Sequence, residues 1–194
     1  MLGAIEAQSR ESHLGMDEDA RLARAAVQDR QAFVALYDRY AGPVERYVAA
    51  RTGSSQVEDL VSITFTRALA RIHTFRADRG TFAAWLFTIA RHAVADHYRE
   101  RVRSAPMGDV APIPAQTPGP EALVMAGEER RQVQAALAEL TADQRDALAL
   151  RYAADLPFAA VALALGKSEP AAKMLVQRGL QALRRRYEKD LNDD

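Results

Sequence analysis

The chain has 194 residues with 26 basic and 26 acidic side chains, a formal net charge of +0 and no cysteine. Hydrophobic residues make up 48%, which supports a folded core and argues against global disorder; the missing cysteines exclude a disulfide framework, a thiolate metal site and a cysteine nucleophile. No apolar run approaches the ~20 residues of a membrane-spanning helix, and Met1 to Met16 lacks the charged start and apolar stretch of a signal peptide.

In chain order, residues 1–17 are expected to form a flexible tail. Helices are predicted over Ala20 to Gln28 and Ala32 to Arg51, where Phe33, Leu36, Tyr37, Tyr40, Val44, Tyr47 and Val48 recur at three- and four-residue steps. Pro43 is positioned to kink the second of them. Ser55 with Glu58 has the spacing of a capping box. Val57, Leu60, Val61, Phe65, Leu69 and Ile72 then make one apolar stripe. A loop follows at Arg76 to Gly80. The next helix, Phe82 to Arg103, is expected to bury Phe82, Trp85, Leu86, Ile89, Ala90 and Val94 and to show Arg91, His92, Asp96 and Arg99 on its other face. Trp85 could stack on a nucleobase, but its spacing with Phe82 and Ile89 favours the core.

Between Ser104 and Pro120 stand five of the eight prolines. Proline removes backbone donors and stops helices, so residues 104–120 are predicted to be an extended tether. Beyond it, Glu121 to Leu140 is predicted helical. Thr141 and Gln144 form a second capping box ahead of a helix over Asp143 to Tyr152. Pro157 is expected just inside a short helix that ends at Gly166 and whose apolar run is Phe158 to Leu165. Ser168 opens the last helix. There, Ala172, Val176, Leu180 and Leu183 share a stripe expected to pack on the preceding helix, and Gly179 is anomalous in mid-helix. No strand alternation, internal repeat or heptad array is present.

The neutral total hides two basic segments. Arg67 to Arg103 carries eight basic and three acidic side chains, and Lys167 to Lys189 seven and two, so each is about +5 and suited to a polyanion. The short apolar helix, the glycine turn and the basic last helix form a helix-turn-helix pattern. On the last helix Lys173, Met174, Gln177, Arg178 and Arg184 lie off the apolar stripe. Arginine can pair with guanine and glutamine with adenine in the major groove, while Lys167 and Arg184 to Arg186 can hold phosphates without specifying sequence. His92 and Asp96 share a face, but a metal site would want more ligands. No phosphate-binding glycine loop, nucleophile elbow or paired catalytic carboxylates appear. The expectation is a non-enzymatic protein with no cofactor and no metal.

These residues, in this order, resemble bacterial RNA polymerase sigma factors of the extracytoplasmic-function group. The resemblance covers Asp19 to Arg103 and Glu121 to Tyr187. In the first half it rests on Ala32, Phe33, Leu36, Tyr37 and Tyr40, on Glu58 to Val61 with Phe65, and on Phe82, Trp85, Leu86 and Ile89 to Arg91. This half is similar to the family's second conserved domain. In the second half it rests on Leu137, Leu140, Gln144, Arg145, Leu150 and Arg151, then Val161, Ala162, Leu165, Gly166, Lys173, Arg178 and Leu183, similar to the fourth domain. The implied fold is all-α, with two small helical domains: 18–103, and 121–190 bearing the helix-turn-helix.

The resemblance implies roles. The helix with Glu58, Asp59, Ser62, Ile63 and Thr66 would dock on the clamp of core RNA polymerase, whose β and β′ subunits are the expected partners. Thr74, Arg76, Arg79 and Thr81 of the loop, with Arg91, His92, Asp96 and Arg99, would hold unstacked bases of a minus-ten element. Lys167, Ser168, Lys173, Met174, Gln177, Arg178 and Arg184 would read a minus-thirty-five duplex. The tether would thread the polymerase cleft. A cytoplasmic location, promoter DNA as ligand, an anti-sigma factor as a further partner and no membrane insertion follow from the same likeness. The chain departs from the family pattern at Ser62 and Ile63, where Gln and an acidic residue are usual, and at His92, often Asn. Ala159 and Ala160 replace an acidic pair, and Leu175 replaces a common basic residue. The rival readings are a free-standing helix-turn-helix regulator, which would need a dimer and a palindromic site, and a helical adaptor that binds protein alone.

Overall fold

The computed structural model describes residues 17–52, 54–104, 136–137 and 139–192. The expected tail and tether, and most of the helix expected over Glu121 to Leu140, lie outside the described residues. Among the described residues there are seven α-helices and no strand: α1 (17–25), α2 (Arg30–Thr52), α3 (Val57–Arg71), α4 (Phe82–Ser104), α5 (Ala142–Leu148), α6 (Phe158–Leu165) and α7 (Glu169–Asn192).

The first four helices form a bundle in which α3 packs against both α2 and α4. Leu36, Val44, Tyr47 and Val48 from α2, Leu60, Phe65 and Ala68 from α3, and Phe82, Leu86, Phe87 and Ala90 from α4 make its core. Aromatic edges fix the geometry: Tyr47 meets Phe87 at 5.7 Å and 88°, and Phe33 meets Phe65 at 6.4 Å and 83°. Arg39 ties α1 to α2 by reaching Glu18 at 2.8 Å and also pairing with the buried Asp19, which accepts a further bond from Tyr40. Pro43 lies inside α2 without ending it.

Several expectations needed correction. The Ser55–Glu58 capping box does not form: Ser54–Gln56 is a 3₁₀ turn, and Gln56 stands at the N-cap with no side-chain cap bond. Tyr37 and Leu69, assigned to apolar stripes, are half-exposed, while Thr64 is fully buried because its hydroxyl donates to the Leu60 carbonyl at 2.7 Å.

The C-terminal helices pack as a second unit. The Thr141 capping box is present: the hydroxyl accepts from the Gln144 amide at 3.3 Å, and the Gln144 side chain accepts from the Thr141 amide at 2.9 Å. The helix it opens does not run on to Tyr152 as an α-helix. It gives way to a π turn over Ala149–Ala153, and Asp155 reverses the chain at φ 55°. Gly166 then caps α6 in the left-handed conformation at φ 65°.

Leu180, expected in the α6-facing stripe of α7, is exposed, and Gly179 is buried in its place. A Cβ on Gly179 would stand 2.9 Å from Leu148 Cδ1, so the glycine lets α7 lie close on α5. The two bundles also meet each other. Buried residues of both belong to one contiguous apolar cluster, in place of the two separate small cores implied by a tethered pair.

Candidate nucleic-acid interface

The residues expected to meet polymerase all lie on one side of α3. Glu58, Asp59, Ser62, Ile63 and Thr66 are exposed, at the three- and four-residue spacing that places side chains on one helical face. Glu58, Ser62 and Thr66 line a groove of about 540 Å3 between α2 and α3, with Tyr37 and Phe65, while Asp59 and Ile63 lie outside its lining. The Tyr37 ring leans on Phe65 at 4.6 Å, so an exposed aromatic forms part of this face.

The loop before α4 is held by its own hydrogen bonds. Thr74 donates to the Arg71 carbonyl at 2.7 Å, and Arg76 donates to the His73 and Phe75 carbonyls at 2.9 and 3.0 Å. The Thr81 hydroxyl accepts from the Ala84 amide at 3.2 Å and so caps α4. Thr74 and Thr81 therefore shape the loop, and the Arg79 amide donates to the Arg76 carbonyl at 3.1 Å while its side chain lines a cavity with them. That cavity is about 280 Å3, floored by Phe75 and Trp85, whose rings meet at 5.8 Å. Trp85 is half-buried: it packs on Phe82 at 5.5 Å and also lines the cavity.

On α4, Asp96 accepts from Arg67 at 2.7 Å and Arg99 at 2.6 Å. The Arg67 bond and charge hold its carboxyl below the usual carboxylate range against the opposing effect of partial burial. Asp96 thus orients the Arg99 cation. His92 is exposed beside it, and Arg91 keeps a buried Nε without a partner. Among the described residues no cluster of metal-ligand type is found.

The last helix shows the expected separation of faces. Ala172 and Val176 are buried, while Lys173, Met174, Gln177, Arg178 and Arg184 are exposed, as are Lys167 and Ser168 in the turn. Some of the cations are paired: Lys167 with Asp143 at 2.8 Å, Lys173 with Glu169 at 2.6 Å and Arg184 with Glu188 at 2.9 Å. Such exposed pairs contribute little to stability and open readily to a phosphate. The Ser168 hydroxyl accepts from the Ala171 amide at 3.4 Å at the start of α7.

Sequence reasoning missed the residues that join the two bundles. Asp146 is buried, and its Oδ1 accepts from the Tyr47 hydroxyl at 2.9 Å and from Arg51 Nε at 2.6 Å. Burial works against the Arg51 charge, but the Asp146 carboxylate together with Tyr47 and Tyr98 raises the guanidinium above its ordinary value. Across the seam Arg46 Nε donates to the Ala153 carbonyl at 2.8 Å, and within the first bundle Tyr98 donates to the Arg51 carbonyl. Leu163 of α6 rests on Gly80 and forms part of the loop cavity wall. A further cavity, about 350 Å3, has Arg91, His92 and Arg99 of α4 on one side and Asp143, Arg145 and Asp146 of α5 on the other. One sequence signal was available: Phe158 to Leu165 contains no polar side chain, and a helix apolar all round is covered on more than one side.

This arrangement, a helical bundle with a basic loop face and a helix-turn-helix unit, matches two family models. Residues 36–104 match Sigma-70 region 2 and residues 130–183 match Sigma-70 region 4. The chain is 37% identical over 165 residues to the ECF RNA polymerase sigma factor BldN of Streptomyces coelicolor, with 84% of this chain and 62% of that protein covered. It is 32% identical over 174 residues to the ECF RNA polymerase sigma factor SigX of Bacillus subtilis, covering 84% and 89%. The fold is similar to that of the sigma factor RpoE in complex with the anti-sigma factor NepR from Bartonella quintana, at a TM-score of 0.64, 24% identity and coverage of 80% and 96%. The chain belongs to the ECF family of RNA polymerase sigma factors, which are non-catalytic specificity subunits. No helix among the described residues is long and apolar enough to cross a membrane.

Proposed function

We propose that this sigma factor binds core RNA polymerase in the cytoplasm and directs promoter recognition and DNA melting without chemistry of its own. Its working parts would be a domain over 18–103, a tether over 104–120 and a domain over 121–190. Glu58, Asp59, Ser62, Ile63 and Thr66 dock on the polymerase. The loop with Thr74, Arg76, Arg79 and Thr81 and the α4 face with Arg91, His92, Asp96 and Arg99 hold extruded bases of a minus-ten element. A pocket that takes an extruded base offsets the few kcal/mol of unstacking and so favours the open strand. Lys167, Ser168, Lys173, Met174, Gln177, Arg178 and Arg184 meet a minus-thirty-five duplex. An anti-sigma factor is a further partner consistent with the family.

The observation that carries this reading is the division of α7. One face is buried on α5 and α6, and the other offers Gln177 and Arg178, side chains able to address base edges, with cations at both ends. The test is run-off transcription by core polymerase on a genomic promoter library with and without the chain. Chain-dependent transcripts from a shared motif are expected; transcripts that do not depend on the chain would refute the assignment. On the promoter so defined, Gln177→Ala or Arg178→Ala is expected to cost about 1–3 kcal/mol at one upstream base pair. This is measured by comparing affinity on matched and mismatched duplexes. An equal loss on every sequence would reduce both residues to phosphate anchors.

A further inference from the structure

The cavity of about 350 Å3 between α4 and α5 has an excess of positive charge, with Arg51, Arg91, Arg99 and Arg145 lining it against the carboxylates of Asp143 and Asp146. Both carboxylates are engaged: Asp146 by Arg51 at 2.6 Å and Asp143 by Lys167 at 2.8 Å. Arg99 is held by Asp96 at 2.6 Å. Two guanidiniums remain. Among the described residues neither Arg91 nor Arg145 pairs with a carboxylate, and the Nε of each is buried with no hydrogen-bond partner. Arg145 donates from one terminal nitrogen to the Leu137 carbonyl at 3.2 Å, which leaves its Nε edge without an acceptor. Burial, followed by the charge of Arg51, lowers the Arg145 guanidinium from its ordinary value. A buried charged donor with no acceptor is unfavourable, and such groups in folded proteins are rare enough to need an explanation.

We propose that this cavity binds a small phosphate-bearing anion, such as inorganic phosphate, pyrophosphate or the phosphate end of a nucleotide, gripped between Arg91 of α4 and Arg145 of α5. The planar guanidinium fork matches a phosphate's oxygens two at a time, so one phosphoryl group supplies acceptors to both orphaned Nε atoms. The volume lies at the small end of the range for small-molecule sites. A compact anion reaches the two arginines without touching Asp143 or Asp146, whereas the successive charges of a nucleic-acid strand would have to pass these carboxylates. The proposal does not depend on the minus-ten role given to Arg91, because Arg145 was assigned no part in DNA binding.

The test is calorimetric titration of the full chain with pyrophosphate at constant ionic strength, with inorganic phosphate and chloride as comparisons. Saturable single-site binding of pyrophosphate is expected, with a thermal midpoint that rises with its concentration and no such rise with chloride. Arg91→Gln and Arg145→Gln are each expected to weaken pyrophosphate about tenfold, the loss of one charge-assisted contact. Arg145→Lys keeps the charge and removes the fork; it is expected to weaken binding severalfold, and it preserves the test should the glutamine variant fail to fold. Arg101→Gln, on the exposed end of α4 and outside the cavity lining, is expected to bind as the wild type does. Heats and midpoints that match chloride, or an affinity unchanged in Arg91→Gln and Arg145→Lys, overturn the site. A short single-stranded oligonucleotide, titrated in parallel, separates the two sources of phosphate. Its binding is expected to ignore Arg145→Lys; if it falls as far as that of pyrophosphate, the seat belongs to a strand's backbone and the small-ligand proposal is overturned.

Discussion

The α3 face and the α4 face of the N-terminal bundle are built from the same three-helix core, yet they differ in access. Glu58, Asp59, Ser62, Ile63 and Thr66 are exposed on α3 with nothing from the second bundle over them. Arg91, His92 and Arg99 on α4, and the loop beside them, share cavities with α5 and α6. One surface is ready for a partner in the resting chain and the other is shared. The difference shows that exposure has to be judged on the whole chain: α4 taken with its own bundle would look as open as α3.

The comparison breaks most severely at Asp146. Asp146→Ala leaves Arg51 charged and buried, and a loss of about 3–5 kcal/mol is expected in denaturant unfolding, together with loss of the shared α4 surface. Next comes Gly80→Ala. Gly80 has φ 146°, and a Cβ there would lie 2.8 Å from Leu163 Cδ1. A cost of about 1–3 kcal/mol is expected from the backbone conformation, read as a lower thermal midpoint, with the α3 face unaffected. Asp59→Arg sharpens the contrast from the other side. It is expected to weaken binding to core polymerase about tenfold, or ~1.4 kcal/mol, as measured by titration, while unfolding stability stays within about 0.5 kcal/mol of wild type.

The smallest effect concerns pH. Burial, followed by the charge of Arg101, pushes the His97 imidazole below its ordinary value of 6.5. The unfolded chain therefore takes up the proton more readily than the folded one. This contribution to stability is complete above the ordinary imidazole range and declines as pH falls through 6.5 toward the folded value. A modest loss of stability between neutral and mildly acidic pH is expected, and His97→Gln should flatten it. A pH profile unchanged by that substitution would assign the effect to other groups.

Local chemistry made much of this legible in the sequence. Phe158–Leu165 was marked by an unbroken apolar run and a closing glycine, and the Thr141–Gln144 box by spacing alone. The same logic failed at Ser55–Glu58, where a 3₁₀ turn moved the helix start past the serine, and at Leu180, where close approach of α5 turned the apolar side of α7 toward Gly179. The seam was beyond local reasoning. Arg51 and Asp146 are 95 residues apart and Tyr47 and Asp146 are 99 apart, and an aspartate in the first turns of a short helix reads as an ordinary solvated acid. Only the missing polar side of α6 pointed to a second neighbour.

Gly179 has one more consequence. With Leu148 Cδ1 2.9 Å from where its Cβ would be, the hydrogen in that position acts as a thickness gauge between two rods. Arg178 precedes it directly and Gln177 stands one residue further back, so the height at which they project is set by an atom that is not there. Even one added methyl group would lift the whole rod, and with it every fingertip it carries.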